Sequence, residues 1–147
     1  MSKLLAIATR SVPKEPMEEL EDCEITLERG VADDLRGKPS GRQVTVLARE
    51  AWEAACASLG AELPWTTRRA NLLVEEIDLA GSAGRRLRVG GALLEVTAET
   101  DPCELMDDFY TGLRAALEPD WRGGVCCRVL EAGALRIGDA VAWEERR

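Results

Sequence analysis

One cysteine in the second half of the chain has the surroundings of a reactive thiol. Cys103 lies in Asp-Pro-Cys-Glu-Leu, residues 101–105, where the sequence predicts a helix start. Asp101 suits the N-cap, Pro102 suits the first helical position, and a glutamate follows three residues after the aspartate, as in a capping box. Backbone N–H groups at a helix start favour the thiolate form of a cysteine. We therefore expect a nucleophile, a sulfur carrier or a soft-metal ligand; a small buried core cysteine is the alternative.

A basic segment upstream supplies a possible partner for this thiol. Arg68 and Arg69 open the stretch Arg-Arg-Ala-Asn-Leu-Leu-Val, in which Asn71 follows. A guanidinium group binds phosphate through a planar fork of donors, and an asparagine amide both donates and accepts hydrogen bonds. The pairing predicts that the two arginines hold an anionic cofactor beside Cys103. The alternative is that both arginines are solvated and that Asn71 caps a turn.

The composition narrows the class of protein. The chain has 147 residues and a formal net charge of −8, with 46% hydrophobic and 31% charged residues, which predicts one globular domain over residues 1–147. The negative charge argues against nucleic acid binding. Without a membrane-length apolar run or a signal-peptide pattern, we expect a cytoplasmic protein with no membrane partner. Positive charge gathers locally at residues 36–42, 68–69 and 85–88, which suits a small anionic ligand.

The cysteine and histidine counts restrict the chemistry further. There are five cysteines, without CxxC spacing, and no histidine. We expect reduced thiols rather than a disulfide framework. The missing histidine excludes Ser-His and Cys-His catalysis and any zinc site that contains histidine. The vicinal Cys126 and Cys127 are either one core-facing and one outward thiol on a strand, or a redox or sulfur-relay pair close to Cys103.

Apolar periodicity and turn residues predict many short strands and two helices. The predicted helices cover residues 49–59 and the run from about residue 102 to Pro119, where proline ends the pattern. Gly90-Gly91 and Gly133 mark hairpin turns. The expected fold class is mainly β with some α, a β-barrel with a few peripheral helices. Its strands are expected at residues 4–9, 24–28, 43–47, 72–77, 85–89, 92–97, 125–130, 134–137 and 140–143.

Five sequence blocks resemble a known family when they are taken in order. The sequence resembles the MOSC domain, the C-terminal domain of molybdenum cofactor sulfurases, here of the small standalone bacterial type. The resemblance extends from Ser11 to about Val141 and implies a β-barrel with peripheral helices. The blocks are Arg-Gln-Val-Thr-Val-Leu (42–47), Arg-x-Asn-Leu-Leu-Val-x-x-Ile-Asp-Leu (69–79), Gly-x-x-Leu-Glu-Val-Thr (91–97), Pro-Cys-x-Leu (102–105) and Arg-Val-Leu-Glu-x-Gly-x-Leu-Arg-Ile-Gly-Asp (128–139).

The resemblance implies a site for the molybdenum cofactor, a pyranopterin that carries a phosphate. Cys103 matches the cysteine that ligates the metal in this family. Arg69 and Asn71 match the Arg-x-Asn motif that lies near the pterin and its phosphate. Ser11 and Lys14 are the counterparts of an N-terminal Ser…Lys segment that contacts the phosphate.

The sequence departs from the family pattern in one segment. Many small members carry Gly-Asp-Arg-His-Ala-Gly before the Arg-Gln-Val block, whereas this chain has Ala-Asp-Asp-Leu-Arg-Gly at 32–37. The histidine is absent. Asp34 and Arg36 are expected to replace part of that motif, with Arg36 among the cofactor-binding residues.

Three functions follow from the resemblance. The first is a molybdenum-dependent oxidoreductase that reduces N-hydroxylated substrates and takes electrons from a separate redox partner protein. The second is a sulfur carrier, in which Cys103 holds a persulfide received from a cysteine desulfurase. Pyridoxal phosphate would then belong to that partner enzyme and not to this chain. The third is a module that stores or delivers the molybdenum cofactor without turnover.

Overall fold

Short strands dominate the computed structural model, which describes residues 1–13, 15–32 and 34–144. Residues 86–89 alternate half-buried and buried positions, as expected for a strand with one face on a core. In chain order the strands are β1 Lys3–Thr9, β2 Glu18–Leu20, β3 Asp22–Thr26, β4 Gly30–Val31, β5 Val44–Ala48, β6 Leu72–Glu75, β7 Arg86–Val89, β8 Ala92–Glu99, β9 Val125–Glu131, β10 Gly133–Arg136 and β11 Val141–Glu144.

Two sheets contain these strands. Within the described residues, the larger sheet has eight strands in the order β11-β7-β8-β9-β5-β6-β1-β2, and the smaller has three in the order β10-β3-β4. Neighbouring strands are antiparallel except for β5 and β6, in which Val46 lies opposite Leu72. A parallel pair needs a crossover. Helix α1, Arg49–Leu59, provides most of that connection.

The larger sheet curls until its two ends approach each other. Lys3 in β1 and Ala140 before β11 form an isolated antiparallel bridge. The Leu4 N–H donates to the Asp139 carbonyl over 2.9 Å, and the Gly138 N–H donates to the Leu4 carbonyl over 2.8 Å. These contacts do not form a ladder between β1 and β11. The expected closed barrel is therefore not confirmed, and the architecture is a mixed, strongly curled sheet with a second small sheet.

Two short helices replace the long helix predicted between Cys103 and Pro119. Helix α2 is Leu105–Phe109 and helix α3 is Leu113–Leu117. Tyr110 is extended and Gly112 has φ of +90°, a left-handed conformation that glycine adopts without steric cost. These two residues break the apolar pattern that predicted one helix. No helix in the described ranges is long and apolar enough to cross a membrane.

The helices cover one face of the large sheet. Trp52 and Cys56 of α1 pack with Leu113 and Leu117 of α3 and with Leu73 of β6. Cys56 was predicted to lie in the core, and it does. A larger apolar cluster, which includes residues such as Leu4, Val46, Leu94 and Cys127, fills the space inside the curled sheet.

All nine predicted strands are confirmed within two residues of their expected ends. The strand expected at 24–28 is displaced by two residues and occupies Asp22–Thr26. The short strands β2 and β4 were not predicted, because two or three residues are too few to show an alternating pattern.

Candidate functional site

A partly enclosed cavity of about 170 Å³ lies among the loops that join the central strands. Its walls come from the ends of β1 and β8, from β5, from the residues before β6 and β9, and from the start of α2. Its polar lining is dominated by five arginines. The lining residues that carry charge or a thiol are Arg10, Asp34, Arg36, Arg42, Arg68, Arg69 and Cys103.

Most of the residues singled out from the sequence meet in this cavity. Cys103, Arg36, Arg68, Arg69 and Asn71 all line it, although they come from three separate parts of the chain. The predicted phosphate contact of the N-terminal segment has less structural support. Ser11 is exposed and does not line the cavity, and Lys14 lies outside the described residues.

Cys103 is exposed, so the interpretation as a buried core cysteine is wrong. The predicted helical position is also wrong, because α2 begins at Leu105 and Cys103 precedes it in a loop. Its carbonyl accepts the Met106 N–H over 3.0 Å, which fixes the loop against the helix. The loop before α2 therefore places the thiol in the cavity wall, and the thiol does not lie in the first turn of a helix.

Arg68 is a buried cation without a buried anion. Only 6% of the residue is exposed. Its Nε donates to the Gly123 carbonyl over 3.0 Å and its Nη2 donates to the Thr100 carbonyl over 3.2 Å. A third nitrogen, Nη1, lies 3.8 Å from the sulfur of Met106. Burial and then the charge of Arg42 lower the pKa of Arg68 from its usual value.

The packing of the Arg68 side chain requires a glycine at position 123. A Cβ at Gly123 would lie 2.7 Å from the Thr100 carbonyl oxygen and 3.2 Å from Nη2 of Arg68. Both distances are shorter than ordinary van der Waals contacts. The guanidinium group of Arg68 therefore fits between these backbone segments only because residue 123 has no side chain.

Arg69 presents donors to the cavity from a strained position. Its backbone has φ of +65°, which is uncommon outside glycine and typical of constrained sites. Nη2 donates to the Glu15 carbonyl over 2.7 Å, and the guanidinium carbon lies 5.7 Å from the centre of the Phe109 ring. Its buried Nε has no hydrogen-bond partner among the described residues.

Asn71 is held by the sheet rather than left free in the cavity. Its Oδ1 accepts the Thr45 N–H over 3.1 Å, and its Nδ2 donates to the Ala8 carbonyl over 3.2 Å. The residue is only 4% exposed. The amide therefore ties β5 to β1 at the cavity floor, so the alternative of a simple turn cap does not describe it. A second Nδ2 hydrogen is the amide's remaining donor.

Asp34 organises the loop that follows β4. Its two carboxylate oxygens accept the backbone N–H groups of Arg10, over 3.0 Å, and of Arg36, over 3.1 Å. The Leu35 N–H in turn donates to the Arg10 carbonyl over 2.7 Å. The carboxylate is thus used to hold two arginines in position. Burial, followed by the charges of Arg69 and Arg36, lowers the pKa of Arg10.

Two of the cavity arginines were not among the predicted site residues. Arg42 falls in the positive run at 36–42, so the charge pattern contained a signal for it. Arg10 had no such signal, because nothing in its immediate sequence distinguishes it from a solvated arginine after a strand. Both are brought to the cavity by the fold alone.

None of the five cavity arginines forms an ion pair with another residue of the described chain. Elsewhere the protein pairs its arginines readily: Arg49 contacts Glu75, Arg88 contacts Glu144 and Arg128 contacts Glu95. The contrast is large for a chain with 27 acidic and 19 basic residues. The cavity therefore has a positive field that ion pairs among the described residues do not neutralise, which is typical of anion-binding sites.

The vicinal cysteines lie behind the cavity wall. Cys127 packs in the sheet core, and burial strongly raises its pKa. Cys126 is on the opposite strand face but is also buried, with its sulfur 3.3 Å from the Thr100 hydroxyl. The expectation of a core-facing thiol is confirmed for Cys127, while Cys126 is not outward. Neither residue lines the cavity beside Cys103.

A comparison with protein families agrees with the arrangement of these residues. The profile of the MOSC domain matches residues 32–142, more than half of the chain. The chain belongs to the MOSC domain family. This family is linked to molybdenum cofactor binding. The matched region includes Asp34, Arg36, Arg42, Arg68, Arg69, Asn71 and Cys103.

Solved structures share the fold of this MOSC domain. The YuaD protein from Bacillus subtilis superposes with a TM-score of 0.82 at 18% identity, over 100% of this chain and 98% of that one. YiiM from Geobacillus stearothermophilus has a TM-score of 0.77 at 14% identity, over 99% of this chain and 76% of that one. YiiM from Escherichia coli has a TM-score of 0.72 at 13% identity, over 99% and 71%. A search of curated proteins gives no significant match.

The exposure of the thiols predicts their order of chemical labelling. Iodoacetamide at pH 7.5 should modify Cys103 first, because it is the exposed cysteine. Burial and the neighbouring Asp22 and Glu24 raise the pKa of Cys23 to about 11. Its labelling should be slow at pH 7.5 and should rise about tenfold per pH unit towards pH 11, because only the thiolate reacts. Cys127 should react only after unfolding. Peptide mapping by mass spectrometry would measure this order, and faster labelling of Cys23 than of Cys103 would contradict it.

The unpaired arginines predict a stabilising substitution. Arg10→Gln should raise the free energy of unfolding of the ligand-free MOSC domain by about 0.5 to 1 kcal/mol at low salt, because it relieves repulsion from Arg36 and Arg69. The gain should shrink in 0.5 M KCl. Urea unfolding would measure the effect, with Arg136→Gln, an exposed arginine outside the cavity, as the control. Destabilisation by Arg10→Gln at low salt would mean that the cavity charges are balanced without a ligand.

Proposed function

We propose that this MOSC domain binds the phosphorylated molybdenum pyranopterin cofactor in the arginine-lined cavity, with Cys103 as a ligand of the metal. The observation that supports this most is the group of five arginines without ion pairs around one exposed thiol. A phosphate carries between one and two negative charges near neutral pH and accepts several hydrogen bonds. A thiolate is a soft ligand suited to a metal such as molybdenum. The link of the family to this cofactor supports the same assignment.

The residues present fit such a group in charge and in hydrogen bonding. The guanidinium groups of Arg10, Arg36 and Arg69, which line the cavity, offer donors to phosphate oxygens. Asn71 lines the cavity and retains one amide hydrogen, which a pterin acceptor would take. The cavity has room for part of the cofactor, so the rest would extend toward solvent. Ser11 and Lys14 stay predicted phosphate contacts, and the proposal does not depend on them.

Cys103 is a single soft ligand, so a metal bound there takes its remaining ligands from the cofactor. The buried Arg68 faces the thiol closely enough for a Cys103 thiolate to act on its charge. That attraction would hold the thiolate toward the cavity rather than toward solvent. When bound, the cofactor supplies oxygen-atom and electron transfer at its metal. The chain itself supplies position, charge and a thiolate.

The reaction that we propose is the reduction of N-hydroxylated substrates. The electrons would come from a separate redox partner protein. The sequence motif carried by Cys103, Arg69 and Asn71 supports this assignment through its resemblance to the family's cofactor-binding residues.

A second candidate function is sulfur transfer. The exposure of Cys103 supports it, because a persulfide carrier must offer its thiol to a cysteine desulfurase. The five unpaired arginines favour the cofactor instead, since a persulfide needs no phosphate-binding charge. A cofactor storage module would keep the same contacts and differ only in lacking turnover.

The metal content of protein produced in a host that makes the cofactor tests the proposal. Wild-type protein should contain about one molybdenum atom per chain, and Cys103→Ser should lose nearly all of it because the soft ligand is gone. Cys23→Ser, at a half-buried cysteine outside the cavity, should keep its metal. Inductively coupled plasma mass spectrometry measures all three. Absence of molybdenum from the wild type, with an additional mass of about 32 Da on Cys103, would favour the sulfur carrier.

A further inference from the structure

Helix α2 and the residue after it present three large apolar side chains to solvent. Leu105, Phe109 and Tyr110 are 44%, 42% and 38% exposed. Phe109 and Tyr110 are the only phenylalanine and the only tyrosine of the chain, and phenylalanine is among the residue types that are most often fully buried. We call the surface formed by these three residues the α2 face. The packing of the core does not explain why they are exposed.

The α2 face borders the Cys103 cavity. Leu105 lines the cavity, and Phe109 follows it by four residues, so the two side chains lie on the same side of the helix. The guanidinium carbon of Arg69 lies 5.7 Å from the centre of the Phe109 ring, a distance at which a cation attracts an aromatic face. Met106, in contrast, is only 2% exposed and packs in the core. The helix is therefore anchored through Met106, and the described residues leave the α2 face uncovered.

The other large apolar side chains that are exposed among the described residues are separated from one another along the sequence. They are Met1, Val12, Leu27 and Ile137. Single exposed apolar residues are normal on a protein surface, whereas a contiguous apolar patch with a polar border marks an interaction site. The α2 face concentrates three such residues within six positions of the chain.

Acidic residues border the α2 face along the sequence. Residues 99–120 contain seven aspartates and glutamates and one arginine. Glu104, Asp107 and Asp108 are exposed and lie between or beside the apolar residues of the face. None of these three carboxylates forms an ion pair with a described residue, and Asp107 accepts the backbone N–H of Arg114 over 3.0 Å. The rim of the α2 face is therefore negative, in contrast to the positive cavity beside it.

A negative rim around an apolar centre is complementary to a protein surface that carries lysines and arginines around apolar residues. The small size of the α2 face indicates a transient contact, because interfaces that bury less than about 1,200 Å² are typical of electron-transfer pairs. Aromatic side chains such as Phe109 and Tyr110 are enriched at the centres of interfaces. The α2 face thus has the composition of a docking site for a basic protein.

The position of the α2 face indicates what kind of basic protein binds there. Cys103, the proposed metal ligand, precedes Leu105 by two residues, and both residues line the same cavity. A protein bound to the α2 face would therefore lie beside the metal. A metal that receives electrons from a separate protein needs a docking surface at such a place.

We propose that the α2 face is the docking surface of the redox partner, and that this partner presents a basic surface with an apolar centre. The docking surface follows from the exposed residues and their charges, whereas the partner's role as electron donor rests on the proposed function. The acidic rim would speed association, and the apolar contacts of Phe109 and Tyr110 would slow dissociation. The proposal excludes an acidic electron carrier, because like charges at the rim would repel it.

Nuclear magnetic resonance of the cofactor-free full chain tests the α2 face with reduced cytochrome c as the probe. Cytochrome c is a small electron-transfer protein with lysines around its exposed haem edge. Titration should shift the amide signals of residues 104–110 most, and the affinity should fall about tenfold between 20 and 200 mM salt, because exposed charges are screened. Cytochrome c with acetylated lysines should bind about tenfold more weakly at low salt, because acetylation removes the lysine charge.

Three variants separate specific docking from a general attraction between unlike charges. The rim pair, Glu104→Gln with Asp108→Asn, should weaken the affinity about fivefold, because two charges of the rim are lost. Tyr110→Ser should weaken it about threefold at both salt concentrations, because an apolar contact is not screened. The control pair, Glu24→Gln with Glu28→Gln, removes the same charge from exposed positions on and after β3 and should leave the affinity within about twofold.

Phe109 keeps its ring in all three variants, because the ring contacts Arg69 in the cavity. Equal weakening by the rim pair and by the control pair would show that only the net charge matters and would overturn the proposal. Undiminished binding to Tyr110→Ser, amide shifts centred outside residues 104–110, or a lack of binding at low salt would overturn it as well.

The molybdenum content separates this proposal from the proposed function. If the chain takes up no molybdenum, the proposed function fails, and with it the partner's role as electron donor, while the titrations still decide whether the α2 face binds a basic protein. If the chain contains molybdenum, its reduced form should transfer electrons to oxidised cytochrome c about fivefold more slowly in the rim pair than in the control pair. Equal rates would overturn the role of the α2 face in electron transfer and leave the proposed function standing.

Discussion

The burial of the Arg68 guanidinium is the constraint on which the site depends. A buried charge is costly unless polar groups surround it, and here the carbonyls of Gly123 and Thr100 perform that task. Both acceptors belong to the connection between β8 and β9, Thr100 at its start and Gly123 near its end. The position of Arg68 therefore fixes the spacing of the two ends of this connection. Carbonyl dipoles only partly balance the full positive charge of Arg68. The cavity therefore still favours the binding of an anion.

The strands serve this arrangement by bringing distant segments to one end of the sheet. The amide of Asn71 joins β5 to β1 and so holds Arg10, which follows β1, next to Arg69. Asp34 then binds the backbone of the loop with both carboxylate oxygens and forms no ion pair with a guanidinium group of the described residues, although its charge acts on Arg10. The protein thus keeps the arginines fixed but unpaired. Such unpaired charge reduces the stability of the ligand-free state, in the way that functional sites commonly do.

Several residues of the candidate site could be predicted from the sequence, because their residue types and short motifs indicate which groups they could bind. Cys103, Arg69 and Asn71 stand in blocks whose order marks the MOSC domain, and the structure brings them to one cavity. Arg10 could not be found in this way, because its proximity to Arg69 arises from the pairing of β1 with β6. Long-range pairing of this kind leaves no trace in the local pattern.

The fold shows the same difference between local patterns, which can be predicted from the sequence, and long-range pairings, which cannot. Alternation and turn residues predicted most strands of the larger sheet, but they did not predict how its two ends meet, which depends on the bridge between Lys3 and Ala140. The prediction of one continuous helix after Cys103 was wrong for a local reason. Its apolar spacing continued through Tyr110 and Gly112, but the extended backbone of Tyr110 ends the first helix and the left-handed Gly112 precedes a second.

The position of the metal tests the central claim most directly. Crystals of the chain loaded with molybdenum cofactor would give an anomalous difference map at the molybdenum absorption edge. The account predicts one peak in the cavity next to the sulfur of Cys103, with phosphate density among Arg10, Arg36 and Arg69. A peak outside the cavity, or phosphate density away from these arginines, would contradict it.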